Sequence, residues 1–204
     1  MSRPTMTTAE VAHRMPADAP RPTPTTTLRV RAEQELTAEE RAACDVLWWR
    51  AFAAASEAER AVRPPPRAVR LLLFDDGGAL LAAASLTPCL VTIAGECVRV
   101  AGLGVVAVPE GRRGRGYGSR VVAAFARHAA AAGYAWAALS CEPRRRAFYE
   151  RLGWRVLAGP LTMREAERER PPLGFVMALP LTPDAAADLP TWLSAPITLG
   201  PGEW

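Results

Sequence analysis

The 204-residue chain contains no lysine, so all 25 of its basic side chains are arginine. A phosphate loop of the Gly-Lys-Ser/Thr kind is thereby excluded, because its lysine has no counterpart. Only two histidines and four cysteines occur, and Cys44, Cys89, Cys97 and Cys141 never fall into a Cys-x-x-Cys pair. No metal site is expected from such a set, and buried reduced thiols are. Charge-free apolar runs stop short of a membrane span, and the N-terminus lacks the apolar segment of a signal peptide. A cytoplasmic protein without membrane contact is the expectation. The arginines are scattered, and no aromatic-basic module of the kind that grips nucleic acid is present. The net charge of +4 is modest but favours a polyanionic ligand.

What is present is a chain that is half hydrophobic, enough for a sizeable core. Residues 1–26, rich in proline and threonine, read as a disordered tail. Residues 27–181 read as the folded domain, and 182–204 as a tail that packs back near an acceptor site. Thr27 to Ala32 alternates like a strand. Thr37 and Glu40 form a capping box that opens a helix, expected to turn Val46, Leu47, Trp49 and Phe52 to the core. Strands are expected at Ala68–Phe74 and, after a hairpin at Asp75–Gly78, at Leu80–Ile93 with a bend at Pro88. Further strands follow at Val98–Val100 and Leu103–Val108, the latter apolar enough to be covered on both faces. A helix from Tyr117 to Ala132 is closed by Gly133. Then come a strand at Tyr134–Ser140, a short helix at Pro143–Leu152, and strands at Trp154–Leu157 and Phe175–Leu179. The charged stretch Met163–Arg170 reads as a solvated helical turn or a loop. The order implies an α/β class with a mixed, mostly antiparallel sheet and helices on both faces.

The strongest local signal is the passage from an apolar strand into Arg113-Gly-Arg-Gly-Tyr-Gly118 and then a helix. Glycines at 114, 116 and 118 let successive backbone N–H groups converge, and the helix start adds a partial positive charge. Such a place binds a diphosphate. Arg112, Arg113 and Arg115 add full charges, and Ser119 a hydroxyl. A plain glycine-rich turn with solvated arginines is the competing reading. The dinucleotide fingerprint Gly-x-Gly-x-x-Gly does not match this spacing, and the loop lies past mid-chain.

Arg113-x-x-Gly116-x-Gly118 matches the acetyl-CoA motif of the GNAT N-acetyltransferases, and Phe148-Tyr-Glu-Arg-Leu-Gly-Trp154 resembles their second signature. The resemblance spans about Leu71 to Leu157. It implies that the strands Leu103–Val108 and Tyr134–Ser140 splay apart to admit acetyl-CoA. Backbone groups of Val106, Ala107 and Val108 would pair with the pantetheine arm, and an N–H at Val106 would polarise the thioester. Residues Arg113, Gly114, Arg115, Gly116, Tyr117, Gly118 and Ser119 would hold the pyrophosphate, with Arg144, Arg145 and Phe148 beside the cofactor. Tyr149 matches the general acid that protonates the departing thiolate. Many such enzymes are dimers, so a homodimer is a family expectation.

A narrower resemblance runs to the aminoglycoside 2'-N-acetyltransferases, through Ala138-Leu-Ser140, Gly153-Trp154, Gly159-Pro160 and the terminal Trp204. It implies acceptor contacts at Gly104, Val105, Ser140, Glu142, Glu203 and Trp204. Glu142, Glu203 and the terminal carboxylate are also candidate bases. That family has a glutamate where Gly104 stands and an aspartate where Gly202 stands. The lost carboxylates suggest a less cationic aminosugar that carries its own acid, of the kasugamycin type. Other small amines (a polyamine, an amino acid, a protein N-terminus) and an acyl-CoA-binding protein without turnover are the alternatives.

Overall fold

The computed structural model describes residues 25–53, 64–165, 168–172 and 174–200. The expected disordered tail falls, except for its last two residues, outside the described residues, as do Glu203 and Trp204. Within the described residues ten strands join in one sheet. These are β1 (Thr26–Ala32), β2 (Val69–Asp75), β3 (Leu80–Ile93), β4 (Glu96–Ala107), β5 (Trp136–Cys141), β6 (Arg155–Val156), β7 (Leu161–Glu165), β8 (Arg168–Arg170), β9 (Phe175–Pro180) and β10 (Ile197–Leu199). Four α-helices are described: α1 (Ala38–Ala51), α2 (Tyr117–Ala131), α3 (Arg146–Glu150) and α4 (Pro183–Ser194).

The main path runs β6-β9-β5-β4-β3-β10-β7-β8, with β2 also on β3 and β1 on β2. Most pairs are antiparallel; β4 with β5 and β10 with β7 are parallel. Alternation along the strands sorts the core onto two faces. On one, Leu71, Leu73, Ala101, Leu103, Leu139 and Met177 pack under α2 and α3. On the other, Leu72, Phe74, Ala83 and Ala107 pack under α1, and Val100, Trp136, Ala138 and Val176 pack under α4. The indoles of Trp136 and Trp192 stack at 4.0 Å and pin α4 to β5.

Several expectations are corrected. In α1 the buried residues are Glu40, Cys44, Leu47 and Trp48, while Val46 and Trp49 are exposed. The stripe 40, 44, 47, 48 follows the 3.6-residue period from the capped end, and Val46 and Trp49 lie outside it. The cap itself is as read: Glu40 N–H donates to Thr37 Oγ1 at 3.1 Å. Within Met163–Arg170 the described residues are strand: Leu161–Glu165 and Arg168–Arg170 pair antiparallel, with Met163 opposite Arg170. Charge there marks the edge of a sheet, where charged side chains discourage further pairing. The two short strands at 98–100 and 103–108 are one, β4. β3 runs unbroken through Pro88, which pairs with Ala101. On its other edge β3 pairs with β2 up to Leu86 and with β10 from Val91, so the proline, lacking an N–H, sits where that edge changes partners. The segment after Leu181 does pack back, but as α4 and as β10 inserted between β3 and β7. Three of the four cysteines are buried, and Cys97 is exposed.

Candidate functional site

β4 and β5 run parallel side by side at only two register pairs, Ala101 with Ala137 and Gly102 with Ala138. Beyond Gly102 they part, and β5 continues against β9 as far as Cys141. Among the described residues, the edge of β4 that faces β5 therefore has no strand partner from Leu103 to Ala107. Its backbone groups on that side are open to a guest chain, as at any unpaired sheet edge.

The opposite edge of β4 is interrupted at the same level. β3 pairs Ser85 with Gly104 and then Ala83 with Ala107, so Val105 and Val106 together stand opposite Ala84. This is a β-bulge, and Val105 takes φ +53° to make it. A β-branched residue in that region is strained, and such strain gathers where a structure aims backbone groups at a ligand. Gly104, Val105 and Val106 are half-buried, so this strand is not covered on both faces along its length as expected. The parting of the strands leaves it uncovered.

After β4 the chain passes through a 3-10 turn at Glu110–Arg112 into the glycine loop and α2. Gly114 and Gly116 take φ +76° and +80°, and a Cβ at either would meet nothing within 4 Å. Gly116 caps α2 from the left-handed region. The Arg113 N–H is spent inside the turn, donating to the Glu110 carbonyl at 3.1 Å, which corrects its place among the converging amides. No hydrogen bond within the described backbone is donated by Gly114 to Ser119. Their amides sit at the start of a 15-residue helix, where its dipole is positive. Arg113 and Arg115 are exposed and make no ion pair among the described residues, whereas Arg112 lies 3.8 Å from Asp75.

The second sequence motif closes against this loop. A Cβ on Gly118 would lie 3.4 Å from the Phe148 ring and 3.6 Å from Val108, so the end of β4, the start of α2 and α3 converge there. Tyr149 follows, buried, edge-on to Phe148 at 4.9 Å and to Trp154 at 6.1 Å. Burial, with a smaller contribution from Cys141 and against the pull of Arg145, pushes its phenol up to about 12. The hydroxyl stays protonated at any physiological pH and acts as a donor. Cys141, at the end of β5, is also held neutral, chiefly by burial and then by Glu142.

Other predicted residues fall elsewhere. Alternation puts Ser140 on the α4 face with Ala138, and Gly104 on that same face, where its Cβ would meet Ser85 Oγ at 3.1 Å. Tyr149 and Phe148 are on the α2 face. The gap between β4 and β5 thus joins a face with the loop and Tyr149 to a face with Gly104 and Ser140. Glu142 is exposed, and Arg144 holds both its oxygens, Nε at 2.5 Å and Nη2 at 3.2 Å. Both side chains of that pair are exposed. Ser85 and Thr87, buried hydroxyl residues on the Gly104 face, were not singled out in the sequence; two polar residues inside an apolar strand were the available signal. No cluster of metal-ligating side chains occurs among the described residues, and no described helix is long and apolar enough to cross a membrane.

Comparison with known proteins follows these lines. The family model described as Acetyltransferase (GNAT) domain matches residues 34–157. A GNAT family N-acetyltransferase (YhbS) of Escherichia coli, solved in complex with CoA, superposes with a TM-score of 0.60 at 21% identity, covering 92% of this chain and 93% of that one. An acyl-CoA N-acyltransferase of Pseudomonas aeruginosa gives 0.55 at 17% identity, over 76% of this chain and 99% of that one. A GNAT family acetyltransferase of Brucella melitensis in complex with acetyl-CoA gives 0.50 at 19% identity, over 77% and 90%. No curated protein matches the chain.

Proposed function

The chain belongs to the GNAT family of acetyltransferases, and we propose that it moves the acetyl group of acetyl-CoA onto a primary amine of a small molecule, an aminoglycoside or aminocyclitol of low cationic charge. The observation that carries this reading is the β4 edge from Leu103 to Ala107, unpaired beside a bulge and leading into a loop of free amides. The residues fit acetyl-CoA in three respects. The free amides of Gly114 to Ser119 suit the pyrophosphate, with Arg113 and Arg115 supplying side-chain charge. The open β4 edge suits the amide-bearing pantetheine arm, which pairs as a guest strand does. The Val106 N–H, at the bulge, suits the thioester oxygen.

In the reaction the neutral amine attacks the thioester carbon, the C–N bond forms and the C–S electron pair leaves with sulfur. The Tyr149 phenol donates to that sulfur as charge develops on it. The nitrogen gives up its extra proton, which returns through water to the phenolate, so that N-acetyl product and free thiol leave.

The aminosugar reading draws on the sheet face beyond the gap. There Gly104 and Ser140 stand half-buried with Ser85 and Thr87 buried in the same face, small and hydroxylic side chains that suit a hydroxylated amine better than a polycation. Packing of residues 182–204 near the acceptor, pairing of two copies of the chain, and a cytoplasmic location belong to the same proposal. The experiment is a thiol-release assay with acetyl-CoA and a panel of aminoglycosides, aminocyclitols, polyamines, amino acids and peptides. Turnover confined to aminosugars is expected. Turnover of polyamines or peptides alone overturns the acceptor assignment, and acetyl-CoA binding without turnover of any amine overturns the enzymatic one.

A further inference from the structure

Helix α1 turns Glu40, Cys44, Leu47 and Trp48 to the sheet. Its opposite side is not simply polar. Glu39, Ala42, Val46 and Trp49 follow one another at spacings of three, four and three residues, and each is exposed. Val46 is 51% and Trp49 49% exposed. A single exposed apolar side chain needs no explanation, but two in line with an alanine make a continuous patch. Alternating steps of three and four keep residues on one line down a helix, and such a line is the seam along which two helices pack.

The patch widens beside Val46. A groove of about 360 Å³ runs from Ala43 and Val46 across to Leu80 and Pro109. Ala38, Ala42 and Ala43 supply little side chain, so large and small residues alternate on this side of the helix. The ends of the stripe carry opposite charges, with Glu39 in the first turn of α1 and Arg50 in the last, both exposed.

Such a surface complements itself when a second copy is turned end for end. Two α1 helices can meet antiparallel, with the two-fold axis level with the middle of Ala42 and Val46. Each Val46 then faces Ala42 of the other copy. Each Trp49 lies over the other copy's Ala38 and Ala42, where the side chains are small enough to admit an indole. Each Arg50 comes beside the other copy's Glu39, and the symmetry makes two such ion pairs. A parallel pairing would instead set Trp49 on Trp49 and like charges on like charges. An anionic membrane surface would want cations along the rim, and Glu39 stands there.

We propose that two copies of this chain pair antiparallel through the exposed stripe of α1, with Val46 and Trp49 at the centre and Arg50 against Glu39 at each end. The pairing of copies thereby has a surface, and it does not depend on the acetyl-transfer reading.

The test is sedimentation equilibrium of the full chain at about 50 µM, where a micromolar interface is filled. Wild type is expected to be a dimer. Val46→Glu, which sets carboxylates into the seam on both sides of the axis, is expected to leave monomer only, and Trp49→Ala to weaken pairing by about tenfold or more. Arg50→Glu brings like charges together and is expected to weaken pairing, and adding Glu39→Arg should restore it. The altered side chains are exposed in the single chain, so each variant is expected to fold, which circular dichroism checks; if one does not, the wild-type state and the other variants decide. A monomeric wild type, a dimer unmoved by Val46→Glu and Trp49→Ala, or no recovery in the double variant overturns the proposal. Acetyl-CoA titrated into the same samples reports on the loop alone, so a monomer that binds it leaves the transfer reading standing.

Discussion

Tyr149 is fully committed to one protonation state. Its phenol, pushed from 10.0 up to about 12, gives up its proton only in strong alkali. Tyr149→Phe is expected to keep acetyl-CoA affinity and to lower turnover by about a hundredfold or more; unchanged kcat removes the residue from the acid role. Alkaline absorbance titration should show one phenol ionising near 12, absent from Tyr149→Phe. Because the folded value lies above the unfolded one, stability is undiminished below pH 10 and falls as the pH rises from about 10 to about 12. Gly116 offers a second single-residue test. Its φ of +80° excludes most side chains, although the space beside it is empty. Gly116→Glu sets a carboxylate at the proposed diphosphate position and is expected to abolish acetyl-CoA binding. Gly116→Asn, which tolerates that conformation, should retain much of it. Wild-type affinity in the glutamate variant contradicts the loop assignment.

Among the elements, the contact of β3 with β4 governs where the gap opens. Gly102 is the last β4 residue beside β5, and a Cβ there would lie 2.7 Å from Cys89 Sγ and 3.1 Å from the Thr87 carbonyl. Gly102→Ala is expected to cost about 1–3 kcal/mol of stability in urea unfolding. Adding Cys89→Ala should recover part of that loss, because one of the two clashing groups is gone. A neutral single variant shows that the strands have slack at this point. The elements also show how far local reading reaches. The capping box, the hairpin at Asp75–Gly78 and the closure of α2 at Gly133 were legible, because each depends on a few neighbouring residues. The hairpin of β7 and β8 was not. Its pairing is with a strand of the far C-terminal segment, and its charges resemble those of a loop.

The molecule as one cooperative unit includes what looked like a tail. β10 fills the place between β3 and β7, and Trp192, Ile197 and Leu199 are almost wholly buried. Burying such side chains contributes about 2–3 kcal/mol each. The sum is comparable with the whole stability of a typical domain, ~5–15 kcal/mol. A chain ending at Leu181 is therefore expected to lose cooperative thermal unfolding by circular dichroism. A sharp melt close to that of the full chain would mean that residues 27–181 fold without it.

The order of amino acids along the chain was enough to specify the anion loop, the helix that starts from it and the aromatic motif at 148–154, since glycine conformations and helix starts are local matters. It was also enough for the family and the class of fold. Long-range pairing decided the rest. Two register pairs between β4 and β5 set where the sheet opens, a bulge set Val105 and Val106 together opposite Ala84, and the packing of α3 on one face and the alternation of β5 put Tyr149 and Ser140 on opposite sides of the sheet. Partners 15 or more residues apart leave no local periodicity to read, because which strand lies beside which depends on how the core as a whole excludes water.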